Sequence, residues 1–488
     1  MKPPIHNPRN RITPSRAIAS SQLSLRMFVL LACGVSLSQV VTTAAQTAGE
    51  INWPQWRGPL QNGVAPHGDP PTEWSETKNV KWKVKIPGEG DSTPIIWGDK
   101  IFVVSAIPTG KKPATAAAPA AAPPPAESSK PPGGRGGRGG RGGMGGGPPN
   151  EIYQWTVFCL DRATGKVLWQ KVAREEVPHE GRQPNNTYAS YSPVTDGEQL
   201  YVSLGSWGVY CYDLNGNLKW ERDLGDMSTI MGFGEGGSPA VYKDKLIINW
   251  DHLGDDFITA LDTKTGKTLW KTDRNEPTTW TTPLIVEHGG IAQAIVGATG
   301  KTRSYDVATG KQIWECEGLT PNAIPSAVTG HGMVFAMAGF RGNKLLAVRL
   351  GGTGDLTGTD AIVWRHERST PYVPSPLLYD DLLYFFAANN AMLSCFEAKT
   401  GKPLIDATRI EALQGAGQGG DVYASPVGAR GKVFLVGRNG TTLVVNKSEK
   451  LEPLATNKLD DRFDASPAIV GKELFLRGRE NLYCLAEK

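Results

Sequence analysis

The chain has 488 residues, including 58 Gly and 36 Pro, and few stretches of helical periodicity, so it reads as one large all-β domain with appendages. Its net charge of +4 becomes −1 once the five Lys/Arg of residues 1–45 are set aside, which removes the basic balance expected of a nucleic-acid binder. Beyond residue 45 no apolar run reaches the roughly 18 residues that a spanning helix needs, so no transmembrane segment is expected after it.

Residues 1–45 carry those cations and no acid, then an apolar run over 27–41, then Thr43-Ala44-Ala45. This is the order of a secretory signal peptide, so export is expected. Leu30-Leu31-Ala32-Cys33 also resembles a bacterial lipobox that would place a lipid on Cys33. Only six residues separate it from Arg26, short for the apolar segment such a signal uses. Residues 46–79 form an N-terminal extension with the aromatic and turn-rich segment Trp53-Pro54-Gln55-Trp56-Arg57-Gly58-Pro59.

From residue 80 to 488 a Ser/Thr-Pro step returns eight times: Ser92-Thr93-Pro94, Ser192-Pro193, Ser238-Pro239, Thr282-Pro283, Pro325-Ser326, Ser375-Pro376, Ser425-Pro426 and Ser466-Pro467. Successive steps lie 41 to 50 residues apart, apart from a longer first interval, and that is the period of a propeller blade. Within each period an apolar strand, a tight turn and an alternating strand come first. A third strand then ends in Asp-Xaa-Xaa-Thr-Gly-Lys, and a fourth carries Trp. Asp161 to Lys166 with Trp169, Asp262 to Lys267 with Trp270 and Asp306 to Lys311 with Trp314 are the clearest copies. Asp closes an Asx turn, Gly takes positive φ, and Trp buries a large apolar face between blades. The period from Ser466 supplies only three strands, and the Trp-bearing stretch Val80 to Ile86 has the pattern of the missing fourth. The expectation is therefore an eight-bladed β-propeller of four-stranded antiparallel blades, closed by an N-terminal strand that completes the last blade and removes the exposed sheet edges.

Residues 108–150 interrupt blade 1 with an Ala/Pro tract and Arg-Gly-Gly repeats, too poor in apolar residues to pack, and are read as a disordered insert. Cys159, Cys211, Cys395 and Cys484 recur at one place in the third strand of four blades, as small core residues do. No Cys-Xaa-Xaa-Cys or vicinal pair is present.

The long loops leave one face of the disc and mark it as the binding face. Asn249 to Asp256 offers Asp251, Asp255 and Asp256 as oxygen ligands of the kind Ca2+ takes, without full metal-loop spacing; an Asp/Gly-rich hairpin accounts for them better. Pro184 to Tyr191 puts Asn186 and Tyr188 where they either line the channel mouth or fix an interblade loop. Trp280, Arg303, Arg341, Tyr372, Asn389 and Arg438 stand at corresponding loops of other blades. Asn186, Tyr188, Trp280, Arg303, Arg341 and Tyr372 are thus the expected ligand site, with Trp280 stacking and the two arginines pairing to carboxylates. The opposing expectation is that these residues only brace neighbouring blades.

With Asp-Xaa-Xaa-Thr-Gly-Lys-Xaa-Leu-Trp and Ser-Pro steps in register, residues 80–488 resemble the PQQ-like (quinoprotein or BamB-like) β-propeller repeat family. Trp53 to Pro59, Ala338 to Asn343 and Tyr372 to Pro376 resemble segments of the secreted PQQ-like repeat proteins of planctomycete-type bacteria. Two branches of that family imply different activities. Quinoprotein dehydrogenases oxidise alcohols or sugars with PQQ and a Ca2+ held by Glu, Asn and Asp, whereas BamB-like propellers are non-catalytic scaffolds of outer-membrane protein assembly. No Glu, Asn and Asp set falls on matching motif positions, so no catalytic residue carries over. The resemblance then implies a binding or scaffold protein of the periplasm or cell envelope, a monomer with a protein or envelope partner. The alternative it implies is a PQQ-dependent dehydrogenase.

Overall fold

The computed structural model describes residues 51–113, 147–415, 417 and 419–487; residues 1–45, read above as a signal peptide, Cys33 and the central part of the 108–150 insert lie outside them. Eight antiparallel sheets follow one another along the chain. Blade 1 comprises Ile95–Trp97, Lys100–Pro108, Tyr153–Asp161 and Val167–Glu176. Blades 2 to 7 fall within 194–222, 240–273, 284–317, 328–366, 377–409 and 427–458. Blade 8 takes Ala468–Val470, Glu473–Arg477 and Asn481–Leu485 from the C-terminal end and Val80–Lys85 from the N-terminal end. Trp82 pairs with Cys484 and Val84 with Leu482, so the ring is closed as expected.

Burial follows from position in the blade. The second and third strands lie between neighbouring sheets and are buried on both faces, as in Leu246 to Trp250. The fourth strands stand at the rim and are largely exposed; in Thr268–Asp273, Trp270 and Thr272 are partly covered and the other four residues exposed. The described cysteines are buried and unpaired, and burial pushes the thiols of Cys159, Cys211, Cys316 and Cys395 up to about 12.

The Asp-Xaa-Xaa-Thr-Gly turn is a socket for the tryptophan of the preceding blade. Asp161 Oδ1 accepts from the Thr164 N–H (2.8 Å) and Thr164 Oγ1 (2.6 Å), and Gly165 at φ 73° brings bare backbone under the Trp82 ring. A Cβ at Gly165 would lie 2.8 Å from that ring. Trp82 Nε1 donates to the Arg162 carbonyl (3.0 Å), Trp169 to Leu214 (3.2 Å), Trp220 to Thr263 (2.8 Å), Trp270 to Val307 (2.9 Å) and Trp364 to Ala398 (2.9 Å). Each acceptor immediately follows the turn's acid, so one bond type is repeated between blades. Blade 5 lacks the turn. There Gly354–Asp355 pairs in parallel beside Trp314 and adds a short fifth strand to blade 4, and Trp314 donates instead to Gln293 within its own blade (3.2 Å).

The Ser/Thr-Pro steps form a hydrogen-bonded ring around the central channel. Thr93 N–H donates to Ser192 Oγ (3.0 Å), Ser192 N–H to Ser238 Oγ (2.9 Å), and Ser238 N–H to Thr282 Oγ1 (3.2 Å). The series continues through Ser326 (2.8 Å), Ser375 (2.9 Å), Ser425 (2.9 Å) and Ser466 (3.0 Å). Thr93 Oγ1 then donates to the Ser466 carbonyl (3.1 Å) and joins the last blade to the first. The following proline heads an innermost strand, whose free edge faces the channel and needs no N–H there. Only Ser326 is followed by another residue, Ala327.

Residues 51–79 cross the channel at the short-turn end. Trp53, fully buried, exchanges backbone bonds with Ile96 of blade 1 (2.9 Å each way). Thr195 N–H donates to the Pro54 carbonyl (2.9 Å), and the Gln61 amide pairs with the Ile285 backbone (3.1 and 3.0 Å). Ala65 and Gly63 bond both sides of Gly428 (2.8 and 2.9 Å). Leu378 N–H donates to the Asn62 carbonyl (3.3 Å) and Asp69 N–H to the Gly471 carbonyl (2.7 Å), so the segment is tied to blades 1, 2, 4, 6, 7 and 8.

Candidate functional site

The hydroxyl ring registers the wall of the channel mouth. The residue two positions before each ring hydroxyl faces the axis in every blade: Asp91, Ser190, Gly236, Trp280, Ile324, Val373, Tyr423 and Asp464 all line one cavity of about 180 Å3. Gln183, Asn185, Asn186, Phe233, Glu235 and Tyr372 complete the wall, and Trp56 of the crossing segment lines the same cavity. The wall combines aromatic rings, amides and three carboxyl groups, and none of its residues is Lys or Arg.

Of the residues singled out by sequence, Asn186, Trp280 and Tyr372 meet in this wall. Asn186 is open to two readings from the sequence, a lining of the mouth or a brace of an interblade loop. It faces the cavity, and its amide also donates to the Phe233 (3.0 Å) and Glu235 (3.2 Å) carbonyls while accepting from Ser190 Oγ (2.7 Å). Trp280 Nε1 donates to the Gly234 carbonyl (2.7 Å), which fixes the indole plane. Tyr372 stacks on Phe340 with centroids 4.8 Å apart.

Tyr188 does not reach the cavity. It is buried in an aromatic cluster with Tyr153 (5.1 Å) and Trp207 (6.0 Å), and burial pushes its phenol up to about 12. Arg303 is held away by Glu276 and by Glu315 (3.1 Å), since a guanidinium this covered is drawn to the nearest carboxylates. Arg341 is exposed, its guanidinium over Phe340 at 5.2 Å, and it is not among the residues lining the cavity. Asn389 caps the Val373 N–H (3.0 Å). Asp251, Asp255 and Asp256 do not converge: Asp251 is buried against Arg274 (2.6 Å), Asp255 is exposed, and Asp256 accepts the Glu276 N–H (2.5 Å).

The wall's charged residues were missed by sequence reasoning, although the two-before-anchor register carried the signal for Asp91 and Asp464. Asp464 is held by Arg438 (2.5 Å), Arg462 (3.1 Å) and Arg479 (3.6 Å). Arg438 also donates to Asn185 (2.8 Å) and lies 3.8 Å over the Tyr423 ring, so it orders the wall from behind. Glu235 accepts from the Ser206 N–H (2.9 Å), Ser206 Oγ (2.5 Å) and Tyr191 OH (2.8 Å). Burial raises Glu235 and Asp464 above the usual carboxyl range despite these partners. Burial raises Asp91 as well, and the neighbouring Asp464 charge adds to it. Among the described residues, the one group of three side chains placed to hold a metal is His179, Glu180 and Glu235. Its atoms are already engaged: His179 Nε2 donates to the Met227 carbonyl (2.7 Å), and Glu180 accepts from Thr229 Oγ1 (2.7 Å).

A raised folded-state pKa means that the native protein holds its proton to higher pH than the unfolded chain. The associated stability is complete below the ordinary carboxyl range near 4 and is lost as pH rises through neutrality. The unfolding midpoint in urea should therefore fall between about pH 5 and about pH 8. Asp91→Asn should flatten that slope and gain about 1–3 kcal/mol at the upper end. A variant with the unaltered slope would remove Asp91 from the account.

The family model described as outer membrane protein assembly factor BamB matches residues 152–271 and 254–488. No curated protein matches the chain. Among solved structures, the quinohemoprotein alcohol dehydrogenase of Comamonas testosteroni is similar with a TM-score of 0.56 at 10% identity, over 90% of this chain and 81% of that one. The quinohemoprotein alcohol dehydrogenase ADHIIG of Pseudomonas putida HK5 reaches 0.53 at 10% identity, over 91% and 81%. BamB of Moraxella catarrhalis gives 0.47 at 13% identity, over 70% and 94%. At such identities the two dehydrogenase likenesses speak for the fold alone, and the last carries no argument. No helix among the described residues is long and apolar enough to cross a membrane.

Proposed function

Because the chain belongs to the family of outer membrane protein assembly factor BamB, we propose that it is an exported, non-catalytic propeller of the periplasm or cell envelope that binds a protein partner at the channel mouth. The observation that carries this reading is the composition of the wall. Aromatic rings, amides and three carboxyl groups with no wall cation suit a basic or polar side chain from a partner's loop. The cavity, about 180 Å3, is smaller than the roughly 300–1,000 Å3 that usually houses a drug-sized ligand. Export through residues 1–45 belongs to the same proposal.

The dehydrogenase reading has one observation in its favour: a tryptophan, Trp56, shares the cavity with Glu235, Asn186 and Asp464, the residue types a quinone and Ca2+ site uses. Their chemistry does not fit that group. Glu235 is engaged by Ser206 and Tyr191, the Asn186 amide holds a loop, and Asp464 is bound by arginines. PQQ bears three carboxylates, and it meets three carboxyl groups and no cation in this wall.

Titration of the mature protein with PQQ and Ca2+, followed by calorimetry and by dye-linked oxidation of alcohols and aldoses, decides between them. No binding heat and no turnover are expected. Quinone binding with turnover would overturn the scaffold reading.

A further inference from the structure

Below the hydroxyl ring, the crossing segment carries a buried charge that no acid neutralises. Arg57 is 4% exposed and forms no ion pair among the described residues. Its Nη2 donates to the Pro376 and Pro426 carbonyls (2.9 Å each) and to the Asn62 carbonyl (3.4 Å). Nε and Nη1 have no partner. A guanidinium stays protonated, so its charge is not shed by losing a proton, and burying it unpaired is costly.

The same side chain lines a small void of about 20 Å3, together with Gln55, Trp56, Gln61, Thr282 and Ser326. A space of this size is enough for one occupant the size of a water molecule. Pro239, Pro283, Leu284 and Ala327 complete a mixed lining, in which the hydroxyls of Thr282 and Ser326 are the polar groups of the ring. Thr282 Oγ1 accepts from Ser238 N–H (3.2 Å) and Ser326 Oγ from Thr282 N–H (2.8 Å), so each hydroxyl keeps its own O–H to donate. The Gln61 amide is taken up by the Ile285 backbone, its NH2 donating to the carbonyl (3.1 Å) and its oxygen accepting the N–H (3.0 Å). A buried guanidinium with two unpartnered nitrogens and two hydroxyl-bearing residues therefore line a space of monatomic size.

We propose that this void is a binding site for a small monovalent anion of the halide class, held by Arg57 Nε and Nη1 and by the hydroxyls of Thr282 and Ser326. The anion offsets the buried guanidinium and ties the crossing segment to blades 4 and 5 of the ring. Trp56 and Thr282 line both this space and the mouth cavity, but the proposal does not depend on what occupies the mouth.

The direct test is a crystal of the unaltered protein grown in bromide and measured at the bromine absorption edge. An anomalous peak within hydrogen-bonding distance of Arg57, Thr282 and Ser326 is expected. A map with bromide elsewhere on the molecule and only water or nothing here would overturn the proposal. In solution, unfolding in sodium chloride is compared with unfolding in sodium gluconate at equal ionic strength. Above saturation, each tenfold rise in chloride should raise the folding equilibrium constant about tenfold, with no such rise in gluconate. Equal behaviour in the two salts would also overturn it. Arg57→Met should abolish the difference between the salts; if that variant fails to fold, the bromide map still decides.

Discussion

Trp82→Ala is expected to cost about 3 kcal/mol, close to the lower end for removing a packed tryptophan, although its position near the start of the folded chain suggests a peripheral role. The indole lies over Gly165, packs at 6.1 Å from Phe475, and donates to the Arg162 carbonyl of blade 1 (3.0 Å). It also sits in the strand that completes blade 8, opposite Cys484. Its loss therefore weakens the contact that joins the two ends of the chain as well as one socket. Urea unfolding should show the lower midpoint, and amide exchange should accelerate in Asn481–Leu485, the strand left at an edge. A cost within about 0.5 kcal/mol of an exposed substitution such as Lys83→Ala would show that closure does not rest on this residue.

Arg274→Met is expected to be more damaging still, by about 3–5 kcal/mol, because it leaves Asp251 as a buried, uncompensated anion. Both side chains are fully buried, and Arg274 reaches both carboxylate oxygens, at 2.6 and 3.1 Å. Thr279 Oγ1 (2.6 Å) and Asn249 Nδ2 (3.0 Å) complete the acid's shell. Without the guanidinium the buried carboxylate has no counter-charge. Adding Asp251→Asn should therefore recover most of the loss. A small deficit, or one that Asp251→Asn leaves unchanged, would contradict this account. A rise in the unfolding midpoint of the unaltered protein with added Ca2+ would return Asp251 to its place as a metal ligand.

The channel mouth is partly legible in the amino-acid sequence. Its register is simple, two residues before each ring hydroxyl, and Trp280 stands in it. Asp91 and Asp464 stand there too, but a lone acid before a Ser/Thr step reads as turn chemistry until eight such positions are seen to face one axis. Arg303 and Arg341 illustrate the reverse error. A long cationic side chain near a loop suggests a ligand partner, yet its direction is set by which carboxylates and rings lie within reach. For Arg303 those are Glu276 and Glu315, and for Arg341 the Phe340 ring.

The amino-acid sequence by itself determined the blade count, the Asx turns, the core cysteines and the closing strand, because each is a local pattern repeated at a constant period. Only the tertiary structure decided which partner each pattern meets. The Ser/Thr hydroxyls became a ring because seven of the eight accept an N–H from the preceding blade and Thr93 closes the circle on the Ser466 carbonyl, and five tryptophans became inter-blade locks because they donate to the next turn. The crossing of the channel by residues 51–79 has the same origin: their contacts reach strands hundreds of residues away, such as Arg57 to Pro376 and Pro426. Propensity and periodicity act over a few residues and end at the blade, whereas packing and ring closure select partners across it.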